Sequence, residues 1–324
     1  MKNFLILLAV SLLAINVQAF SVNQNSLGGL ATVYGYLTGQ EISLKVIESS
    51  YPELQQEVTL ARLQFDASYS NAREKTKNKL IEIFKDNGIK LMAMTDEKLA
   101  EQPPKFLTKN EAVAFIKTVH NRANGIIENQ PIRDFLLAIT YFENPGLEIA
   151  DKKVQKFNTK NEVKAKGLDI NVTLPLSWKE QEGTTPNSIR LWKSEGGTGK
   201  SLITFLVYNS GDTRTKAQVK MAIERKELTN MVHPKATVNK IIYSEVSNQA
   251  GWYEESELVQ QRLDFELYSK HKNIRVIYGG KTIEFGCGSG DVMANKEEVI
   301  KESKRVESLC RAVLLSLVLN NPYQ

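Results

Sequence analysis

The sequence predicts an α+β protein: an N-terminal helical bundle followed by a mainly antiparallel sheet covered by helices. Three observations predict it. Up to about residue 142, apolar positions recur at three- and four-residue spacing, one face of successive helices. Residues 151–166 are polar and poor in large apolar groups. After Gly167 the pattern changes to short runs rich in β-branched and aromatic residues, bounded by turn residues.

A short helix is expected around Ala31–Ile47. Ser50-Tyr51-Pro52-Glu53 reads as a capping box. Behind it Leu54, Val58, Ala61, Phe65, Tyr69, Ala72, Leu80 and Phe84 mark one face of a long helix stopped at Asn87-Gly88. Thr108-Lys109-Asn110-Glu111 is a second capping box, opening a helix with Val113, Ile116, Val119 and Ala123 inward and ending at Asn124-Gly125. Pro131 starts a helix through Phe135, Ile139 and Phe142, closed by Asn144-Pro145-Gly146. Short connections between four or five helices argue for a bundle.

In the second half, 168–175, 188–193 and 202–208 read as strands, and Thr215–Met231 as a helix. Strands resume at 238–246, 258–268, 274–278 and 282–287, with Gly279-Gly280 as a hairpin turn. Glu297–Asn320 closes the chain as a helix with Val306, Cys310, Val313, Leu314 and Leu317 on one face. This order implies an antiparallel sheet with helices covering it. The expected division is a signal at 1–19, a helical domain at 20–150, a linker at 151–166 and an α+β domain at 167–324.

Met1-Lys2-Asn3, an apolar run from Phe4 to Ile15 broken only by Ser11, and small residues at Val17 and Ala19 are the three parts of a cleavable export signal. Cleavage between Ala19 and Phe20 is expected. The run is too short to span a bilayer, which takes about 20 residues, and no later stretch is a good span. The destination is periplasmic or secreted. The formal net charge of +5 includes Lys2. Residues 20–160 carry 18 basic and 17 acidic groups, and 161–324 carry 23 and 20, so neither half has the basic excess of a nucleic-acid binder. Two cysteines, Cys287 and Cys310, in an exported chain point to a disulfide, worth on the order of 3 kcal/mol by loop entropy. The alternative is two buried free thiols.

Asp169-Ile170-Asn171-Val172-Thr173-Leu174-Pro175-Leu176-Ser177-Trp178 is similar to the opening strand and turn of the Mog1/PsbP-like group, and Lys281-Thr282-Ile283-Glu284-Phe285 with a final apolar helix to its close. The second half therefore resembles that fold over about 150 residues. The resemblance implies binding or scaffolding rather than catalysis.

Ser194-Glu195-Gly196-Gly197-Thr198-Gly199-Lys200-Ser201 nearly spells a phosphate-binding loop, but a strand rather than a helix is expected after it. Gly286-Cys287-Gly288-Ser289-Gly290 lacks the first glycine of a nucleophile elbow. Cys287 with His271 could form a thiol nucleophile pair only if unbridged. The three histidines, His120, His233 and His271, are scattered, and no metal ligand set is expected. Trp252-Tyr253 falls in an expected connection between strands, where aromatics serve as a partner surface or as a plug over the sheet edge.

The expected function is thus an exported, non-enzymatic binding or scaffolding protein of the bacterial envelope, with a protein or envelope partner and no cofactor. The alternatives are an exported hydrolase using acidic residues, and a carrier of a small apolar ligand held between the sheet and the closing helix. Converging carboxylates in a cleft would favour the hydrolase. A dry cavity under Val306–Leu317 would favour the carrier.

Overall fold

The computed structural model describes residues 24–106, 108–262 and 264–321. The expected signal and its Ala19–Phe20 cleavage point lie outside the described residues. Seven helices come first: α1 (Gln24–Ser50), α2 (Gln55–Tyr69), α3 (Ala72–Phe84), α4 (Asp86–Glu101), α5 (Lys109–Ala123), α6 (Gln130–Thr140) and α7 (Gly146–Ala150). Apart from α7, whose Ile149 packs on the core of the second half, their apolar faces close on two clusters, one containing Val33, Leu44, Val58, Phe65, Val119 and Leu136 and the other Leu30, Tyr34, Leu80, Met92 and Ile139.

Two helical expectations need correction. The long helix is two, α2 and α3, because Ser70 and Asn71 take left-handed backbone conformations (φ 45° and 56°) that end α2, and after a break at Lys85 a further helix, α4, runs on where a stop is expected. Gly88, read as a stop, lies inside α4 against the Leu80 carbonyl, where a side chain would not fit. The capping box at Ser50 does not form: α1 runs through Ser50, and the following turn has no side-chain cap. The box at Thr108 does form, with Glu111 N–H donating to Thr108 Oγ1 and Thr108 N–H to Glu111 Oε2.

The second half contains β1 (Val154–Asn158), β2 (Ile170–Pro175), β3 (Lys179–Glu182), β4 (Ser188–Lys193), the single turn α8 (Ser194–Gly197), β5 (Ser201–Asn209) and α9 (Lys216–Glu224). It continues with β6 (Ala236–Val246), β7 (Gln249–Arg262), β8 (Phe265–Tyr278), β9 (Lys281–Val292), α10 (Lys296–Arg305), α11 (Glu307–Leu315) and β10 (Val318–Leu319). The 151–166 stretch is therefore not a bare linker, since β1 pairs antiparallel with β2 across Val154–Asn158.

The main sheet has seven strands in the order β3-β4-β5-β9-β8-β7-β6, all neighbours antiparallel. A smaller sheet, β1-β2-β10, completes the same core. One face of the main sheet, with Ile203, Phe205, Ile274 and Phe285, packs on Leu309, Val313 and Leu317 of the closing segment and on Ile170 and Leu174 of β2. The closing helix breaks at Val306 and ends by Leu315, giving β10 instead of a continuous helix to Asn320. The other face is covered at one end by α9, where Val219, Ala222 and Leu228 pack on Trp252 and Ile277. Among the described residues no helix is long and apolar enough to cross a membrane.

Candidate functional site

The β7 assignment corrects the reading of Trp252 and Tyr253. Both lie inside a strand rather than in a connection. Trp252 is fully buried under α9 and Tyr253 is half-buried against the main core, so the pair is not an open partner surface. The cysteine expectation is met: Cys287 on β9 and Cys310 on α11 are disulfide-bonded, with Cα atoms 5.5 Å apart. The bond ties the sheet to its covering helix and removes the thiol from any Cys287–His271 nucleophile pair.

The segment that resembles a phosphate loop is a tight turn. Glu195, Gly196 and Gly197 all have positive φ (54°, 62° and 96°), and β5 follows almost at once. The turn leads into a strand and not into a helix, so it lacks the helix N-terminus on which phosphate binding by such a loop depends. Its role is to meet the helical half. Gly196 N–H donates to Ser177 O, and a Cβ on Gly196 would lie 2.9 Å from the Phe135 ring of α6. On the other side of the ring a Cβ on Gly29 of α1 would come within 2.1 Å. Phe135 is seated between two glycines, one from each half.

Arg305 at the end of α10 extends this junction. It donates through Nε and Nη2 to Glu302 at 2.7 Å each, through Nη2 to Glu195 at 3.2 Å, and through Nη1 to Phe142 O at 2.6 Å. Its guanidinium also lies 4.1 Å from the Phe142 ring centre. Burial alone would raise the Glu302 carboxyl, but Arg305 holds it below the usual range. Enclosure raises Glu195, with Arg305 opposing. Nearby, Glu148 on α7 is 1% exposed and accepts from Ser177 N–H and Ser177 Oγ, both at 2.7 Å. Burial pushes its pKa up to about 7.

Between the helical half and the sheet lies a cleft of about 1140 Å³. Leu30, Ile83, Phe135, Ile139 and Phe142 form its helical wall. The floor is the second face of β5, β9 and β8, where Leu202, Gly288 and His271 stand in one row, and Thr204, Gly286 and Asn273 in the next. Side chains of β8 and β5 lean over the β9 glycines, so that a Cβ on Gly286 would meet Asn273 Oδ1 at 2.3 Å, and one on Gly288 would meet His271 Nδ1 at 2.9 Å. His271 Nε2 and Ser269 Oγ are 2.8 Å apart on this floor, and burial lowers the His271 pKa.

Sequence reasoning missed this site because its residues come from separate elements. Behind the lining, a buried acidic group joins the floor through Asn273 and, by way of Arg275, Glu284. Glu254 is fully buried, accepting from Asn273 Nδ2 at 3.0 Å and Arg275 Nη1 at 2.7 Å, while Arg275 Nε reaches Glu284 at 2.9 Å. His120 is half-buried with Nδ1 2.6 Å from Gln64 Oε1. Among the described residues no three His, Cys, Asp or Glu side chains gather as a metal site requires.

No family model matches the chain, and no curated protein matches it. Solved structures do. Cyanobacterial PsbP (CyanoP) from Synechocystis sp. PCC 6803 is 13% identical over 52% of this chain and 92% of its own, with a TM-score of 0.32. LpqN of Mycobacterium tuberculosis, described as involved in cell envelope biogenesis, is 9% identical over 53% and 94%, with a TM-score of 0.31. Each of these likenesses covers about half of this chain.

Proposed function

We propose that this chain is an exported, non-enzymatic binding protein of the bacterial envelope, cleaved after Ala19, that receives its ligand in the cleft between the helical half and the sheet. One observation carries the reading. The cleft is large and mainly apolar-walled, yet every carboxylate lining it is already held by a cation. Such a lining suits holding a ligand better than moving protons, which needs groups poised to exchange them. The disulfide fits an oxidising compartment. The carrier reading in its original place loses support, because Val306, Leu309, Val313 and Leu317 are fully packed into the core.

The test is native mass spectrometry of protein isolated from the envelope fraction of its source, beside a Leu202→Trp variant that fills the floor. A small ligand retained by the wild type and lost by the variant is expected. A protein partner retained by both, with no small ligand, would move the function away from the cleft.

The hydrolase using acidic residues gains nothing from a cleft whose carboxylates are all paired, and a serine hydrolase, a different reading, has one observation in its favour, the Ser269–His271 pair, a nucleophile and base within hydrogen-bond reach. Turnover of a soluble ester that Ser269→Ala abolishes would establish it. No turnover by the wild type would remove it.

A further inference from the structure

We infer that the cleft's ligand is a long-chain amphiphile with an anionic head, its chain along the helical wall and its head between Lys193 and Lys301. The inference rests on the cleft being the binding site and adds the chemical class of what binds there.

The charges divide unevenly. Six carboxylates line the cleft, and each has a cation: Glu82 has Lys79 at 3.0 Å, Glu284 has Arg275 at 2.9 Å, Asp291 has Lys200 at 2.8 Å, and Glu298 also has Lys200. Glu195 and Glu302 share Arg305 at 3.2 and 2.7 Å. Two lining cations remain. Lys193, half-buried at the end of β4, and Lys301, exposed on α10, have no carboxylate partner among the described residues. Lys200 and Arg305 each serve two carboxylates, so the cleft is not a broadly positive field. The attraction for an anion is local to the two unmatched ammonium groups, which offer three donors each.

The rest of the lining suits a chain. Leu30, Ile83, Phe135 and Ile139 give the helical wall its apolar part, faced by Leu202, while Lys79 and Arg305 lie over the Phe142 ring beside it. The volume exceeds the roughly 300–1,000 Å³ usual for compact small-molecule sites, and burial of an alkyl chain becomes more favourable with each methylene. A short polar anion would use the lysines and leave the wall wet. A neutral hydrocarbon would use the wall and leave the lysines unmatched. Only a molecule with both parts uses the whole site.

Titration calorimetry below micellar concentrations, with hexadecanoate, hexadecanol and hexadecyltrimethylammonium as probes, tests this on the full chain. Hexadecanoate should bind one to one and more tightly than either of the others. The Lys193→Gln/Lys301→Gln double variant should weaken hexadecanoate by about tenfold or more while leaving hexadecanol unchanged. Equal binding of all three by wild type and double variant, lost in Leu202→Trp, would overturn the anionic head and leave the cleft as the site. Preference for the ammonium probe would overturn it too. Failure of all three to bind would take down both the amphiphile and the cleft reading. Circular dichroism of each variant establishes that it is folded before its affinity is read.

Discussion

Glu148 has hydroxyl and amide donors against it and no cation at ion-pair distance among the described residues, although it is buried at the junction of the two halves. The groups that bear on it are Asp134 and Tyr141 of the α6 segment, Asp151 after α7, and Arg305 and Glu195 across a small shared cavity. Its folded pKa, about 7, lies above the ordinary 4.5. The folded state therefore binds this proton more tightly than the unfolded chain. The associated stability is complete below about pH 4.5 and is lost as pH rises through about 7, amounting to roughly 3 kcal/mol at most. Glu148→Gln, which keeps an acceptor and cannot ionise, should flatten the decline in urea midpoint across that window. Parallel curves for wild type and variant would show that Glu148 does not titrate at the junction. Nothing in its sequence context, Gly146-Leu147-Glu148-Ile149, distinguishes this residue from a solvated glutamate. Its environment is supplied by Ser177, 29 residues away.

At the scale of elements, legibility followed hydrophobic alternation. Ser188–Lys193 reads as a strand and is one, and the Gly279-Gly280 turn joins β8 to β9 as expected, with both glycines at positive φ. Gln249–Arg262 was read as connection and then a late strand because its inward positions include Glu254 and Ser256. Those polar groups are tolerated inside because Arg275 and Asn273 on the neighbouring strand satisfy them, which a one-dimensional pattern cannot register. The Cys287–Cys310 bond could be anticipated from parity and compartment, and its elements from periodicity. Removing it in Cys287→Ala/Cys310→Ala should lower stability by about 3 kcal/mol without changing the far-ultraviolet circular dichroism. A loss below about 0.5 kcal/mol, within ordinary surface-mutation scatter, would mean that core packing alone holds α11 to the sheet.

The molecule as a whole depends on how its halves meet, and that junction was not legible at all. Phe135 reads as an ordinary core position of an amphipathic helix, yet its ring sits between Gly29 and Gly196. Gly29→Val should expel the ring and loosen the junction, seen as faster amide hydrogen exchange in 194–200 while the β4 and β9 amides keep their protection. Unchanged exchange in 194–200 would show that the turn holds its shape without Phe135. The cleft shares this dependence, since one wall comes from α1, α3 and α6 and its floor from strands that begin about 60 residues after α6 ends.

The strand order has a consequence in time. β3, β4 and β5 form one run of local hairpins and β6 to β9 another, and only the β5–β9 ladder joins them in the main sheet. Local pairings form quickly, and a closure over this many residues waits on loop entropy. The floor of the cleft lies across that late seam, with Leu202 and Thr204 on one side and Gly286 and Gly288 on the other. An intermediate with both meanders formed, and with most of the final circular dichroism signal, would still have no site. On the proposed cleft reading, ligand binding during refolding should appear only once the β5–β9 ladder has formed, later than most of the circular dichroism signal.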